Sequence, residues 1–171
     1  MPSPDHIRLN LLFEAIGDEE YARVRPLLVQ REWPQGATIL AEEDPHEGLF
    51  LIASGRVRVS KTTRRGEEIL LALLHAGDFF GELELLDGRP RMSTVTAVDP
   101  TTTYELPREE FERLTRTLPD VAHRLMQVLS VRLRTINHHF VRQMERVGDL
   151  HAAEVEKFRR LSEASKVVNS T

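Results

Sequence analysis

Apolar positions fall at helical spacing over residues 7–29: Leu11, Leu12 and Ile16, then, behind an Asp18-Glu19-Glu20 start signal, Tyr21, Val24, Leu27 and Leu28. Two short helices are expected there, the second disturbed at Pro26. From residue 36 the period shortens, and β-type runs follow one another: Ala37 to Leu40, Leu49 to Ser54, Arg56 to Lys61, Ile69 to Leu74, Thr94 to Val98 and Thr102 to Leu106. Gly36, Gly48, Gly55, Gly66 and Gly77 punctuate them as turn residues. In Gly55-Arg56-Val57-Arg58-Val59-Ser60-Lys61 the valines alternate with basic and polar residues, as in a strand buried on one face. Short strands at this spacing indicate an antiparallel roll or barrel.

The pattern then lengthens again. Pro107-Arg108-Glu109-Glu110 reads as a first helical turn, with acidic residues where the helix dipole favours them, and Pro119-Asp120 as a second start. Beyond it come Leu125, Leu129, Leu133, Ile136, Phe140, Met144 and Val147, three or four residues apart, with no Pro or Gly before Gly148. At 1.5 Å per residue, 120–147 would run about 42 Å, more than one small domain can cover, so part of this stripe is expected to meet a second subunit. Helical spacing resumes more weakly through Val155, Phe158 and Leu161 and ends in the polar tail Asn169-Ser170-Thr171. Two successive four-residue steps, 136 to 140 and 140 to 144, interrupt the heptad, so pairing is expected mainly before Gly148.

Composition narrows the classes. A chain of 171 residues has room for one domain and an appendage. With 40% apolar and 29% charged residues it is expected to fold as a cytoplasmic protein, and the lack of a signal-peptide pattern or a long apolar run gives no reason to expect a membrane. The absence of cysteine excludes disulfides, thiolate metal sites and a cysteine nucleophile. A net charge of -4 argues against the chain as a whole binding nucleic acid. The seven histidines, His138-His139 and His75 among them, show no metal-ligand spacing, and Arg132, Arg134, Arg142 and Arg146 lie among acidic residues on a solvated mixed-charge face. No metal and no cofactor are expected, and no nucleophile, base and orienting group come together to suggest an enzyme.

The informative segment is 77–95, GDFFGELELLDGRPRMSTV, between two predicted strands. Gly81 allows backbone to approach a ligand closely, and a short helix starting there would leave the amides of 82–85 as donors. Arg91, on the returning chain, can form a charge-assisted pair with a phosphate oxygen, and Glu82 can accept from a ribose hydroxyl.

Phe80-Gly81-Glu82-Leu83, Leu85 and Arg91 through Val95 resemble the phosphate-binding cassette of the cyclic-nucleotide-binding domain family. That family includes catabolite-activator-type regulators and kinase regulatory subunits. The likeness continues through Pro34-Gln35-Gly36, Gly48-Leu49-Phe50-Leu51-Ile52 and Gly55-Arg56-Val57, over residues 10–140. It implies a mainly β fold with flanking helices, a double-stranded β-helix or jelly roll with a long C-terminal helix.

The implied roles run residue by residue. Glu82 would bind the ribose 2′-hydroxyl, Arg91 the exocyclic phosphate oxygens, and amides around Gly81 and Leu83 the remaining oxygens. Val59, Leu71 and Ala72, with Met92 and Ser93 of the cassette, would line the pocket. The helix after residue 120 would cover the base, with Arg132 bracing Glu82 and Ile136 and Asn137 beside the base. Glu84 stands where the family usually has Ala, Gly or Ser and is expected to point to solvent. Met92 replaces the hydroxyl residue of many cGMP-preferring members, which favours cAMP.

The organisation expected is an N-terminal helical segment (1–35), a β-roll (36–106) with the cassette at 79–95, helices forming lid and dimer seam (107–147), and a helical extension with polar tail (148–171). An isolated Arg–Glu pair is ordinarily structural, and a helix stripe is ordinarily core. The joint arrival of Gly81, Glu82 and Arg91 favours a ligand site instead. The resulting expectation is a cAMP-binding regulatory module, homodimeric through 125–147, acting on an unknown effector. The alternatives are the sensor portion of a catabolite-activator-type transcription factor, for whose helix-turn-helix the roughly two dozen residues after Gly148 are too few, and a dimerisation scaffold without a ligand.

Overall fold

The computed structural model describes residues 5–45 and 48–168, with side-chain surroundings within 7–45 and 48–160. The chain divides into two units, residues 1–126 and 127–171.

The first unit is built on two four-stranded antiparallel sheets. One has the order β1-β8-β3-β6, from Val29–Trp33, Thr101–Pro107, Gly48–Ser54 and Phe79–Phe80. The other has the order β2-β7-β4-β5, from Thr38–Leu40, Thr94–Ala97, Arg56–Thr62 and Glu68–His75. Their inner faces share a core of Ile39, Leu40, Phe50, Ile52, Val57, Phe80, Val95 and Ala97, against which Trp33, Val59 and Leu74 pack. Phe50 and Phe80 stack at its centre, 5.2 Å between ring centroids. This is the jelly-roll architecture that the strand spacing and the family likeness implied.

All six expected strands form, each within a residue or two of its expected bounds. Two others were not foreseen. Over β1 the side chains are mostly exposed, so the segment lacks a buried stripe, and the helical spacing of Leu27 and Leu28 extends over its start. It is held instead by pairing with β8 and by polar contacts: Arg31 to Glu105 at 3.0 Å, Trp33 Nε1 to Thr103 Oγ1 at 2.9 Å, and Tyr104 Oη to Gln30 Oε1 at 3.0 Å. The two-residue β6 is too short to give a periodic signal. Gly48 is not a turn residue but opens β3 opposite Pro107. In β4 the alternation breaks after Val59, where Ser60 pairs with Leu70 and Leu71 is left over as a bulge, and Ser60 is buried along with Val57.

The N-terminal helices are shorter than expected. A single turn, α1 (Asp5–Arg8), precedes a loop, and α2 (Asp18–Val24) follows, ending in a 3-10 turn Arg25–Leu27 at Pro26. Residues 9–16 bury Leu12, Phe13 and Ile16 without forming a helix. Their polar groups are satisfied by Arg8, which donates to the Phe13 and Ile16 carbonyls, and by Asn10, which donates to the Asp78 carbonyl at 2.8 Å and accepts from Leu12 N–H at 3.1 Å.

A short helix, α3 (Glu82–Asp87), lies in the cassette, and α4 (Arg108–Thr117) follows β8 with Phe111 and Leu114 buried. The last helix, α5 (Pro119–Val168), is 50 residues long. The weaker spacing after Gly148 continues the same helix without a break, a single glycine costing a helix only about 1 kcal/mol relative to alanine. Val121 and Leu125 of α5 are buried in the first unit, whereas in the second Leu133, Ile136, Phe140, Met144, Val147, Val155 and Phe158 are exposed. The polar tail 169–171 and the surroundings of Leu161 lie outside the described residues. Among the described residues no helix is long and apolar enough to cross a membrane.

Candidate functional site

The cassette is the crossover from one sheet to the other, leaving β6 and returning in β7. Gly81 makes the first turn with φ 86 and ψ 10 and caps α3. A Cβ there would lie 2.6 Å from the Gly48 carbonyl oxygen and 3.4 Å from Arg91 Nη1, so both the left-handed backbone and the close approach of β3 require glycine. Gly88, at φ 68, ends α3 by donating to the Glu84 carbonyl at 3.0 Å. The chain then returns through Arg89 and Pro90 to Arg91.

Glu82 and Arg91 are 4% and 5% exposed, an unusual degree of burial for charged side chains. Burial holds the Arg91 guanidinium below its ordinary pKa, against the opposing pull of the Glu84, Asp44 and Glu82 carboxylates, and the nearby Arg108 cation adds to the lowering. Asp44 and Arg108 had no signal in the sequence. Asp44 lies in an irregular segment, and Arg108 reads only as part of a helix start. The 41–45 segment is tied to the returning chain by Glu43 N–H, donating to the Arg91 carbonyl at 3.2 Å, and Glu42 N–H, donating to Thr94 Oγ1 at 3.2 Å. Arg108 Nη2 donates to the Glu84 carbonyl at 3.2 Å, fixing α3 against α4.

Glu84 overturns its expectation. Its carboxylate points inward, not to solvent: Oε2 accepts from Arg91 Nη1 at 3.1 Å, Oε1 lies 3.4 Å from Met92 N, and the side chain is only 14% exposed. The reason is electrostatic, since a buried guanidinium is costly without a partner and α3 carries Glu84 on the face turned to the returning chain.

The remaining candidates fall into three places. Gly81, Glu82, Leu83, Arg91, Met92 and Ser93 belong to the cassette, with Leu83 and Met92 about half exposed. Val59 and Ala72 are register partners on β4 and β5, and Val59 also pairs with Val95 at the end of the cassette. Leu71 is the exposed bulge residue beside them. Arg132, Ile136 and Asn137 belong to the second unit, where Arg132 is half-buried and Ile136 and Asn137 are exposed. Chemically, the cassette gathers a buried cation, Arg91, held by Glu84, and a buried carboxylate, Glu82, a set whose charges suit an anion carrying a hydroxyl. Among the described residues no group of His, Asp and Glu is arranged to hold a metal ion.

Residues 30–117 match the model of the cyclic nucleotide-binding domain. The cyclic AMP receptor protein of Thermus thermophilus is 41% identical over 123 residues, 72% of this chain and 57% of the relative. A cAMP-dependent protein kinase regulatory subunit from Aspergillus niger is 33% identical over 113 residues, 66% of this chain and 27% of the relative. The crystal structure of the Thermus thermophilus catabolite activator protein superposes with a TM-score of 0.70 at 38% identity, covering 77% of this chain and 62% of that one. The chain thus spans little more than half the length of the Thermus receptor.

Proposed function

The chain belongs to the cyclic nucleotide-binding domain family, and on that premise we propose that it is a regulatory module that binds cAMP in preference to cGMP and passes occupancy through α5 to a second copy or a partner. The observation that carries this reading is the joint burial of Arg91 and Glu82 on one crossover. A buried guanidinium among carboxylates is a site of concentrated positive charge, and a cyclic phosphate that displaces one of those carboxylates would form a charge-assisted pair with it. Glu82 takes the ribose 2′-hydroxyl, amides near Gly81 and Leu83 the other phosphate oxygens, and Val59, Ala72, Leu71, Met92 and Ser93 the pocket wall. Arg132, Ile136 and Asn137 complete the proposal on the base side. The names of the Thermus receptor and the Aspergillus kinase subunit support cAMP as the nucleotide, as does Met92 in place of a hydroxyl. Output follows by linkage: α5 shifts only by as much as the nucleotide binds its two states differently.

The inward Glu84 favours one second reading, a dimerisation scaffold whose arginine is satisfied internally. Amide hydrogen exchange separates the two. With cAMP present, exchange is expected to slow across 79–95 and β4; an unchanged pattern favours the scaffold.

A further inference from the structure

Resting on the nucleotide reading above, we infer that Glu84 is a built-in competitor of the ligand phosphate, an affinity-setting residue whose carboxylate holds the Arg91 guanidinium and must release it when an anionic ligand binds. Three observations carry this. First, Glu84 engages the cation that a phosphate on this crossover would use, the Arg91 guanidinium at 3.1 Å, and, more weakly, the adjacent Met92 amide at 3.4 Å. Second, the pair is buried, with side chains 3% and 14% exposed, so water screens it little and the carboxylate is a real rival for the cation. Third, Glu84 has somewhere to go. The neighbouring Leu83 and Leu86 on α3 are 47% and 51% exposed, so the outer side of this short helix is open to solvent, and a rotation of the side chain would break its contact with Arg91 while the Glu84 carbonyl keeps its bonds from Gly88 and Arg108.

The consequence is a balance of charges around one guanidinium. Glu82 and Asp44 already act on Arg91, and a phosphate added beside an unmoved Glu84 would bring two anions into contact. Binding therefore includes the work of expelling Glu84, and affinity is set below what the cassette would otherwise give. A neutral side chain at this position removes that work.

The test compares cAMP binding by the full chain, Glu84→Gln and Glu84→Ala in calorimetry, with inorganic phosphate as a competitor and a thermal melt to confirm folding. Both variants are expected to bind cAMP about tenfold more tightly, the scale of one charge-assisted contact no longer broken, and phosphate should compete more strongly in both. Wild type silent and variants binding would support the inference equally. Wild type binding, with both folded variants no tighter, overturns it and leaves the nucleotide reading standing. No binding by any of the three overturns both.

Discussion

Arg91 is the residue on which site and stability meet. Its guanidinium sits among Glu84, Glu82 and Asp44, so Arg91→Ala removes the cation that holds three carboxylates together. The variant should melt at a lower temperature and lose about 2–4 kcal/mol of cAMP binding, the scale of a charge-assisted contact whose partner is left unpaired. A melting point that rises with cAMP in wild type and stays fixed in the variant would separate the two effects. Gly81 offers a cleaner contrast. Gly66 shares its left-handed backbone, at φ 82, but has open space where a Cβ would go. Gly66→Ala should therefore cost about 1 kcal/mol, and Gly81→Ala distinctly more, because its Cβ meets the Gly48 carbonyl; equal losses in chemical denaturation would contradict the close approach. The exposed Arg56–Asp99 pair supplies a pH dependence. Its hydrogen bond from Arg56 holds the Asp99 carboxyl below its ordinary value. The pair's contribution is therefore complete above the ordinary aspartate value of about 3.9 and is lost as pH falls through the depressed one. The difference in melting temperature between wild type and Asp99→Asn should be constant near neutrality and vanish only in strong acid. At this scale the sequence was informative about which residues carry charge into the cassette, and silent about orientation. Glu84 was aimed wrongly, to solvent, because the burial of Arg91 that draws its carboxylate inward depends on the packed fold and not on the segment.

Among elements, legibility followed periodicity. Apolar or β-branched runs bounded by turn residues declared themselves whether buried on both faces, as β3 and β8 are, or largely exposed, as β5 is, whereas β1, held by cross-strand pairing and polar contacts, and the loop at 9–16, held by Arg8 and Asn10, did not. The bulge at Leu71 was equally hidden, since it depends on the partner strand and not on the residues of β5 alone. α5 was legible as a helix, and only its continuity through Gly148 was not. A Cβ at Gly148 would meet nothing within 4 Å, so Gly148→Ala should raise helicity and stabilise the helix by up to about 1 kcal/mol. Phe140, 59% exposed in the single chain, belongs to an apolar stripe that water would not favour leaving open. If that stripe is the proposed dimer seam, Phe140→Glu should shift the sedimentation profile toward monomer; an unaltered profile would count against the seam.

For the molecule as a whole, the two sheets fix where the cassette can be. β6 ends in one sheet and β7 begins in the other, so the crossover is anchored at both ends by the Phe50–Phe80 stack and by the Val59–Val95 pairing. The roll thereby presents Arg91 and Glu82 on one short segment, and this is the arrangement on which the proposed cyclic-nucleotide binding rests. The most direct measurement is a calorimetric titration of nucleotide-stripped protein with cAMP and cGMP, run beside Arg91→Ala. About one cAMP per chain is expected, with a dissociation constant on the order of micromolar or tighter, weaker cGMP, and a sharp loss in the variant. No heat with either nucleotide, or the same affinity in Arg91→Ala, would contradict the proposed binding.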